Sequence, residues 1–492
     1  METMLNIKKV AGILTLLGGL ASIFADTTYV ASKGAAILSQ FNKLRAGDTL
    51  LILPGTYNYI SPMVTFYEGT PAQRIVVRAA SPNTVFIKHY NEELFVVTKR
   101  YYTVENLNMN GMGYANYHFK CNDGGQNLHI RNCVLTQFGE STIKAGSGST
   151  TPDSIFPGSY LIMEGNEISS DTLGITGNGN GFNIDGSEDC VIRNNWVHGM
   201  QKPQGNSDFI VYSGYFKGGS RNIIIEGNIF DGTGINGYFV GFSFGGGCMG
   251  NQFMRSWRPY EDSNVCYRNN VLIACNDVQH TCPVHPSYVR KVYHNTLIFC
   301  TGELNVDDVR NNLVLGGSVT NIAGTHNFTG TYNSAYFWDV SQRNYALKPA
   351  ATAWIGKAPR IDSAATDGLG TLRPAMCAYG AYEPYNSNPA SMEGGPGVLP
   401  EVLLLDIGPN PANAAATIHF TLACDMKYVE IGVYDLMGRT VRLLYDGPQQ
   451  AGTHAITWDG KGHTDAAIGS GVYLVRLRVG DRQAVKSFTF VR

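Results

Sequence analysis

One short string recurs between residues 104 and 312, and few architectures accommodate it. Two or three β-forming residues precede a polar residue, then Asn or Gly, then Asn, then apolar residues. The copies read Ile162-Met163-Glu164-Gly165-Asn166, Val191-Ile192-Arg193-Asn194-Asn195, Ile224-Ile225-Glu226-Gly227-Asn228, Cys266-Tyr267-Arg268-Asn269-Asn270, Val292-Tyr293-His294-Asn295 and Val309-Arg310-Asn311-Asn312. Degenerate versions stand at Val104-Glu105-Asn106 and Ile130-Arg131-Asn132-Cys133. Successive copies lie about 17 to 42 residues apart, the range of a solenoid unit with variable insertions. Such units cannot bury a face alone, and their uniform direction argues against hairpins. Coils of a parallel β-helix place each position above its equivalent every ~4.8 Å. An Asn at a fixed turn position then takes the left-handed conformation and hydrogen-bonds its amide to the copies above and below. The predicted ladder is Asn166, Asn195, Asn228, Asn270, Asn295 and Asn312. Cys275 and Cys300 follow their ladder asparagines at equal spacing and should stack in adjacent coils, as a disulfide or as inward thiols.

Composition agrees with an all-β chain. Charged residues are 15% of the total, against about 25% in an average globular protein, and Gly is enriched at 57 of 492. The formal net charge of −2 supplies no basic field for nucleic acid, and 43% hydrophobic content excludes wholesale disorder. Lys8 and Lys9 precede an apolar stretch from Val10 to Leu20, and small residues run to Ala25 before Asp26. That order predicts a secretory signal over residues 1–25, and no later apolar run reaches the ~20 residues of a membrane span. Ala31–Leu44 reads as a short amphipathic helix capping the first coil. Residues 26–383 are then the solenoid. Residues 384–403, rich in Pro, Gly, Ser and Asn, read as a linker. Alternating segments such as Val429–Tyr434 and Val472–Leu477 predict a small β-sandwich over 404–492.

The opening GDTLLILPGTY, the repeated RNN and EGN strands, and the terminal LGTLRP and GAYE strings together resemble the bacterial exported right-handed parallel β-helix proteins, a group that includes many polysaccharide lyases. The scaffold also carries hydrolases, epimerases and adhesins. The tail, with GPNPA, YDLMGR, AGTHAITWDG and SGVYLVRL, resembles the immunoglobulin-like domain of the flagellar hook-cap (FlgD) type. Related tails serve as sorting signals for type IX secretion. These resemblances imply a bacterial extracellular or cell-surface protein, with a polysaccharide partner and a secretion or attachment system acting on the tail.

A lyase acting on a uronic acid polymer must neutralise the sugar carboxylate, remove the C5 proton and protonate the leaving oxygen. Lys, Arg, Tyr, His or calcium can fill those roles. Asp185, Lys217, Tyr260 and His285 lie about ten residues before successive ladder asparagines and are predicted to share one stripe. Lys217, in Tyr215-Phe216-Lys217-Gly218-Gly219, resembles the strand lysine that acts as base in alginate lyases and chondroitinase B. Those families place an arginine about one coil later. Gly241–Gly247 holds none here, and Arg255 or Arg258 of MRSWRPYED would supply the charge. The expected catalytic set is Lys217, Arg258 and Tyr260, with Asp185, Tyr212, Tyr215, Arg255, Trp257, Glu261 and His285 binding substrate. Plainer readings make Lys217 a solvated strand lysine and MRSWRPYED a loop packed by Trp257 and Pro259.

Two further signals compete. Asn183-Ile184-Asp185-Gly186 resembles the first acidic motif of polygalacturonases, inverting hydrolases that need carboxylates about 6.5–9.5 Å apart. Asp189 or Asp208 would be the partner, but the family's paired-aspartate and Gly-His-Gly strings are absent, and a turn role for Asp185 competes. His280, Cys282 and His285 lack the second ligand pair of a zinc site. Calcium could be held by loop carboxylates such as Asp153, Asp185 or Asp208, but no ligand string of defined spacing is present, and no metal ligand is assigned. The expected function is β-elimination of an acidic glycan. A non-catalytic glycan-binding or adhesive β-helix is the alternative, and an inverting hydrolase the second.

Overall fold

In the computed structural model the described residues are 27–492, except 33, 60, 123, 147–156, 172–178, 202–209, 247–257, 283, 323–324, 387–403, 409, 411, 414, 423–425, 436–439, 450–451, 463–466 and 480–481. The signal-like residues 1–25, most of the 384–403 segment, Asp153, Asp208, Arg255 and Trp257 therefore lie outside them. Contacts divide the chain into a unit reaching Phe337 that also holds Tyr345–Pro384, and a unit of Trp338–Asn344 with Tyr385–Arg492.

The first unit is a parallel β-helix. Three long sheets run along it: sheet I of 11 strands from Thr28–Ala31 to Asp308–Arg310, sheet II of 11 strands from Gly55–Tyr59 to Phe328–Gly330, and sheet III of 9 strands that begins with Met63–Val64. Each coil visits I, II and III in turn, as in Ile162–Glu164, Glu167–Ser169 and Asn183–Asp185. The register is parallel throughout, so like positions stack. Val104, Ile130, Met163, Ile192, Ile225, Tyr267, Val292 and Val309 form one inward column on sheet I, almost wholly buried. Alternation is what makes this work: in strands of three residues such as Ile162–Glu164, only the middle side chain is buried. The helix Gly34–Phe41 places Ile37 and Phe41 in the same core.

The asparagine ladder stands as predicted and runs one step further. Asn166 Nδ2 donates to Asn195 Oδ1 at 2.8 Å, Asn195 to Asn228 and Asn228 to Asn270 at 2.9 Å, Asn270 to Asn295 at 2.9 Å, Asn295 to Asn312 at 3.1 Å, and Asn312 to Asn327 at 2.9 Å. Each ladder backbone N–H donates to the next Oδ1 as well, as Asn195 does to Asn228 at 2.9 Å. The left-handed residue, however, is the one before the ladder position: Gly165, Asn194, Gly227, Asn269, His294 and Asn311 have φ of 66°, 54°, 65°, 56°, 53° and 62°. The two jobs of the turn fall on neighbours, since a left-handed backbone favours Gly or Asn, with His294 the exception among these six, while the inward amide is supplied by Asn. Cys275 and Cys300 are buried free thiols, the second of the two arrangements expected.

The polar residue preceding each turn carries a further pattern. In register along sheet I stand Arg78, Glu105, Arg131, Glu164, Arg193, Glu226 and Arg268, alternating in sign. Ion pairs join Arg193 to Glu164 at 2.9 Å and Arg268 to Glu226 at 2.6 Å, and Glu105 meets both Arg78 and Arg131.

Residues 345–384 fold back over the asparagine turns. Asn269 Nδ2 donates to the Thr366 carbonyl at 2.8 Å, Asn311 Nδ2 to the Pro359 carbonyl at 2.7 Å, and the fully buried Arg373 donates to Asn269 Oδ1 at 2.9 Å while pairing with Glu383. Those two residues belong to the LGTLRP and GAYE strings. Gly380, at φ 85°, has no room for a side chain, because a Cβ would stand 2.5 Å from Thr296 Oγ1.

The second unit is a β-sandwich. A 3-stranded sheet, Leu404–Gly408, Ala416–Leu422 and Gly452–Trp458, accompanies a 5-stranded sheet that includes Met426–Tyr434, Thr440–Gln449, Gly471–Val479 and Arg482–Val491. Its core gathers Ile418, Phe420, Ile431, Val433, Trp458, Phe488 and Phe490.

Candidate active site on sheet III

Sheet III carries the ionic chemistry on its outer face. Register places Lys120 beside Lys144, Lys144 beside Asn183, Asn183 beside Tyr215, and Asp185 beside Lys217. Lys217 ends the strand Tyr215–Lys217, and Gly218 and Gly219, both left-handed, turn the chain into sheet I. Its ammonium is 3.9 Å from Asp185 Oδ1 and 4.9 Å from the Tyr215 ring centroid. Lys144 Nζ lies 2.8 Å from Asp185 Oδ2 and donates to Asn183 Oδ1 at 2.9 Å. One carboxylate thus sits between two ammonium groups, and among the described residues its buried Oδ1 has no hydrogen-bond partner. Asn183 Nδ2 reaches Glu140 Oε1 at 3.4 Å, and the Tyr117 hydroxyl donates to the other Glu140 oxygen. Toward the first coils, Lys120 stands 3.8 Å from Glu92, and burial raises the neighbouring Glu93 carboxyl above its ordinary value. The Tyr215 phenol is pushed well above its usual value by burial, with Asp185 and Glu140 adding to the shift, so it stays protonated.

The other predicted site residues fall in three groups. Tyr212 and Tyr215 do not present ring faces to solvent; they are 6% and 4% exposed. They pack edge to face at 5.2 Å, Tyr212 meets the His280 ring at 5.4 Å, and Gly246 lies against the Tyr215 ring. Arg258 and Glu261 lie behind the Lys217 turn and hold it. Arg258 Nη1 donates to the Gly219 carbonyl at 2.9 Å and Nη2 pairs with Glu188 at 2.8 Å, leaving the residue 4% exposed. Glu261 Oε2 accepts from Gly218 N–H at 3.1 Å, and its carbonyl accepts from Gly219 N–H at 2.9 Å. Gly219 is required here, because a Cβ at this left-handed position would stand 2.8 Å from the Arg258 Cβ. Tyr260 and His285 lie in the equivalent turns of later coils. The Tyr260 ring meets Tyr288 at 5.9 Å, and the His285 backbone N–H donates to Cys282 Sγ at 3.2 Å. Asp189 is turned away from Asp185, with its Oδ1 accepting from Asn222 Nδ2 at 3.1 Å beside sheet I.

Lys144, Asn183, Glu140 and Tyr117 are the members that counting from the ladder missed. A signal was available: Ile143-Lys144-Ala145-Gly146 repeats the apolar-Lys-small-Gly order of Phe216-Lys217-Gly218-Gly219. Cys282 is disulfide-bonded and so is no thiolate ligand. Among the described residues no group of three or more His, Cys, Asp and Glu could hold a metal ion.

Comparison with known proteins follows the two units. Residues 410–482 match the FlgD Ig-like domain family. The β-helix is similar to the solved structure of pectate lyase Pel9A, with a TM-score of 0.52 at 13% identity over 74% of this chain and 98% of that one. An alginate lyase from Paenibacillus sp. str. FPU-7 aligns at a TM-score of 0.36 and 15% identity, covering 62% of this chain and 99% of its own. PorZ, a surface component of the type-IX secretion system of Porphyromonas gingivalis, aligns at a TM-score of 0.14 and 22% identity over 18% of this chain and 12% of its own. No curated protein matches the sequence. The chain thus joins a pectate-lyase-like parallel β-helix to a FlgD Ig-like domain.

Proposed function

We propose that this protein is an exported polysaccharide lyase that cleaves a uronic acid polymer by β-elimination on the outer face of sheet III. The Lys144–Asp185–Lys217 cluster carries the reading, and its place on a pectate-lyase-like scaffold supports it. Two ammonium groups tied to one carboxylate can divide the work. Lys144 neutralises the sugar carboxylate, which acidifies C5. Lys217 acts as the base: its amine takes the C5 proton as the C4–O bond breaks and a C4=C5 double bond forms, and the same group then gives that proton to the departing oxygen. Asp185 orients both lysines. Arg258 and Glu261 are positioning residues, acting through the Gly218-Gly219 turn.

Glycan binding without turnover is the second reading, favoured by one observation: the charged neighbour of Lys217 is a carboxylate instead of the arginine expected. Export through residues 1–25, and sorting or attachment through the FlgD Ig-like domain, belong to the same proposal.

Incubation with a panel of uronic acid polymers, following ultraviolet absorbance of unsaturated ends with and without chelator, tests it. Lys217→Ala should abolish product formation and leave the melting temperature almost unchanged, since this side chain belongs to the outer face and not the core. Full activity in that variant, or no unsaturated product from any polymer, would refute the assignment.

A further inference from the structure

Sheet II presents aromatic rings to water where the ionic face does not. Phe86, the second residue of Val85–His89, points outward and is 46% exposed. Tyr90 follows the same strand at 46%, and Tyr114, one coil on, is 73% exposed. The two tyrosine rings lie 6.3 Å apart at 47°. Large rings left this open on consecutive coils mark a surface that something covers.

Beside them is a hollow of about 220 Å³, lined by Phe86, Lys88, Asn108, Asn110, Val134 and Thr136. Register stacks Phe86, Asn108 and Val134 in one column and Lys88, Asn110 and Thr136 in the next. The polar atoms are only partly used. Asn108 Nδ2 donates to the Val85 carbonyl and Asn110 Oδ1 accepts from Met112 N–H, while among the described residues no hydrogen bond takes up Asn108 Oδ1 or Asn110 Nδ2 of these two lining residues. Among the described residues Lys88 has no ion-pair partner.

We infer that this face of sheet II is a second glycan-binding surface, distinct from the sheet III site, which holds the pyranose rings of a polysaccharide. A pyranose offers an apolar C–H face to stack on an aromatic ring and a rim of hydroxyls for amides and lysine. The hollow is below the ~300 Å³ of pockets that enclose whole ligands, which suits one ring of a chain that continues over Tyr90 and Tyr114. The inference takes its ligand class from the proposed function but is independent of turnover.

Affinity electrophoresis tests it, using the full chain carrying Lys217→Ala so that no polymer is cut, in gels containing either a neutral or a uronic acid polysaccharide. Adding Phe86→Ala and Tyr114→Ala should weaken binding about tenfold. Loss in both gels assigns recognition to the ring faces; loss in the acidic gel alone adds the Lys88 charge to them. Unchanged retardation in both gels overturns the inference. So does a change in self-association by light scattering without a change in retardation, which would make the occupant a second copy of the chain. Wild-type turnover is read separately. Aromatic-dependent retardation by a protein that cuts nothing keeps this surface and removes the lyase reading, whereas cleavage with unaltered retardation does the reverse.

Discussion

Asp262 is wholly buried in register with Ser220, on the coil after the Lys217 turn. Burial pushes its carboxyl from 3.8 up to about 8, with Glu261 adding to the shift and Ser287, Arg290 and the Gly245 backbone opposing it. The unfolded chain releases this proton near its ordinary value, the folded chain only near 8. Between those values the native state holds the extra proton, so the stability is fully present at low pH and is lost as pH rises, by about 1.4 kcal/mol per unit. Urea unfolding at pH 5 and pH 8 should show this loss in the wild type, and Asp262→Asn should flatten it. An equal slope in the variant would exclude Asp262 as its source. Residue-level reading of the sequence singled out Lys217 and Asp185, and the structure pairs them. It missed Lys144, because the stretch between one sheet III strand and the next varies in length while the ladder turn stays fixed. Counting from that turn loses register where the insertions begin.

The turn was the most legible element because its chemistry is restrictive. Only a left-handed residue followed by an inward amide closes it, so Gly-Asn and Asn-Asn recur, and even the strings LGTLRP and GAYE mark a buried pair, Arg373 with Glu383. Sheet III has no comparable marker. Its outward residues are Lys, Asn, Asp and Tyr in no fixed order, and aromatic strings such as Tyr212 to Tyr215 read as exposed although Tyr212 and Tyr215 are covered, packing against each other and Val240. The ladder also makes a prediction. Asn228 donates to Asn270 and to the Ile192 carbonyl and accepts from two groups of Asn195. Asn228→Ala takes the buried partner away from the Asn195 N–H and the side-chain donor away from the Ile192 carbonyl, at about 1–3 kcal/mol for each group, while Asn270 Oδ1 keeps the Asn228 N–H and Asn195 Nδ2 keeps the Met163 carbonyl. The expected loss, several kcal/mol in all, is measurable as a shifted denaturant midpoint. A change within experimental error would mean that the turn relaxes around the gap.

At the scale of the molecule, the two contact units have separate cores, one along the β-helix and one between the sheets of the FlgD Ig-like domain. We expect limited proteolysis to cut between Pro384 and Pro400 and release residues 404–492 as a folded fragment, judged by its retained circular dichroism. Protection of that stretch would count against a linker. A solenoid invites growth by duplication of its coils, since each contacts only its neighbours. The alternating charges on sheet I restrict that growth. Removing the single coil that bears Glu226 would set Arg193 directly against Arg268, while removing two coils would restore an Arg beside a Glu. Over this stretch electrostatics therefore favours parity: gaining or losing turns in pairs keeps every Arg beside a Glu, whereas a single turn sets like charges side by side.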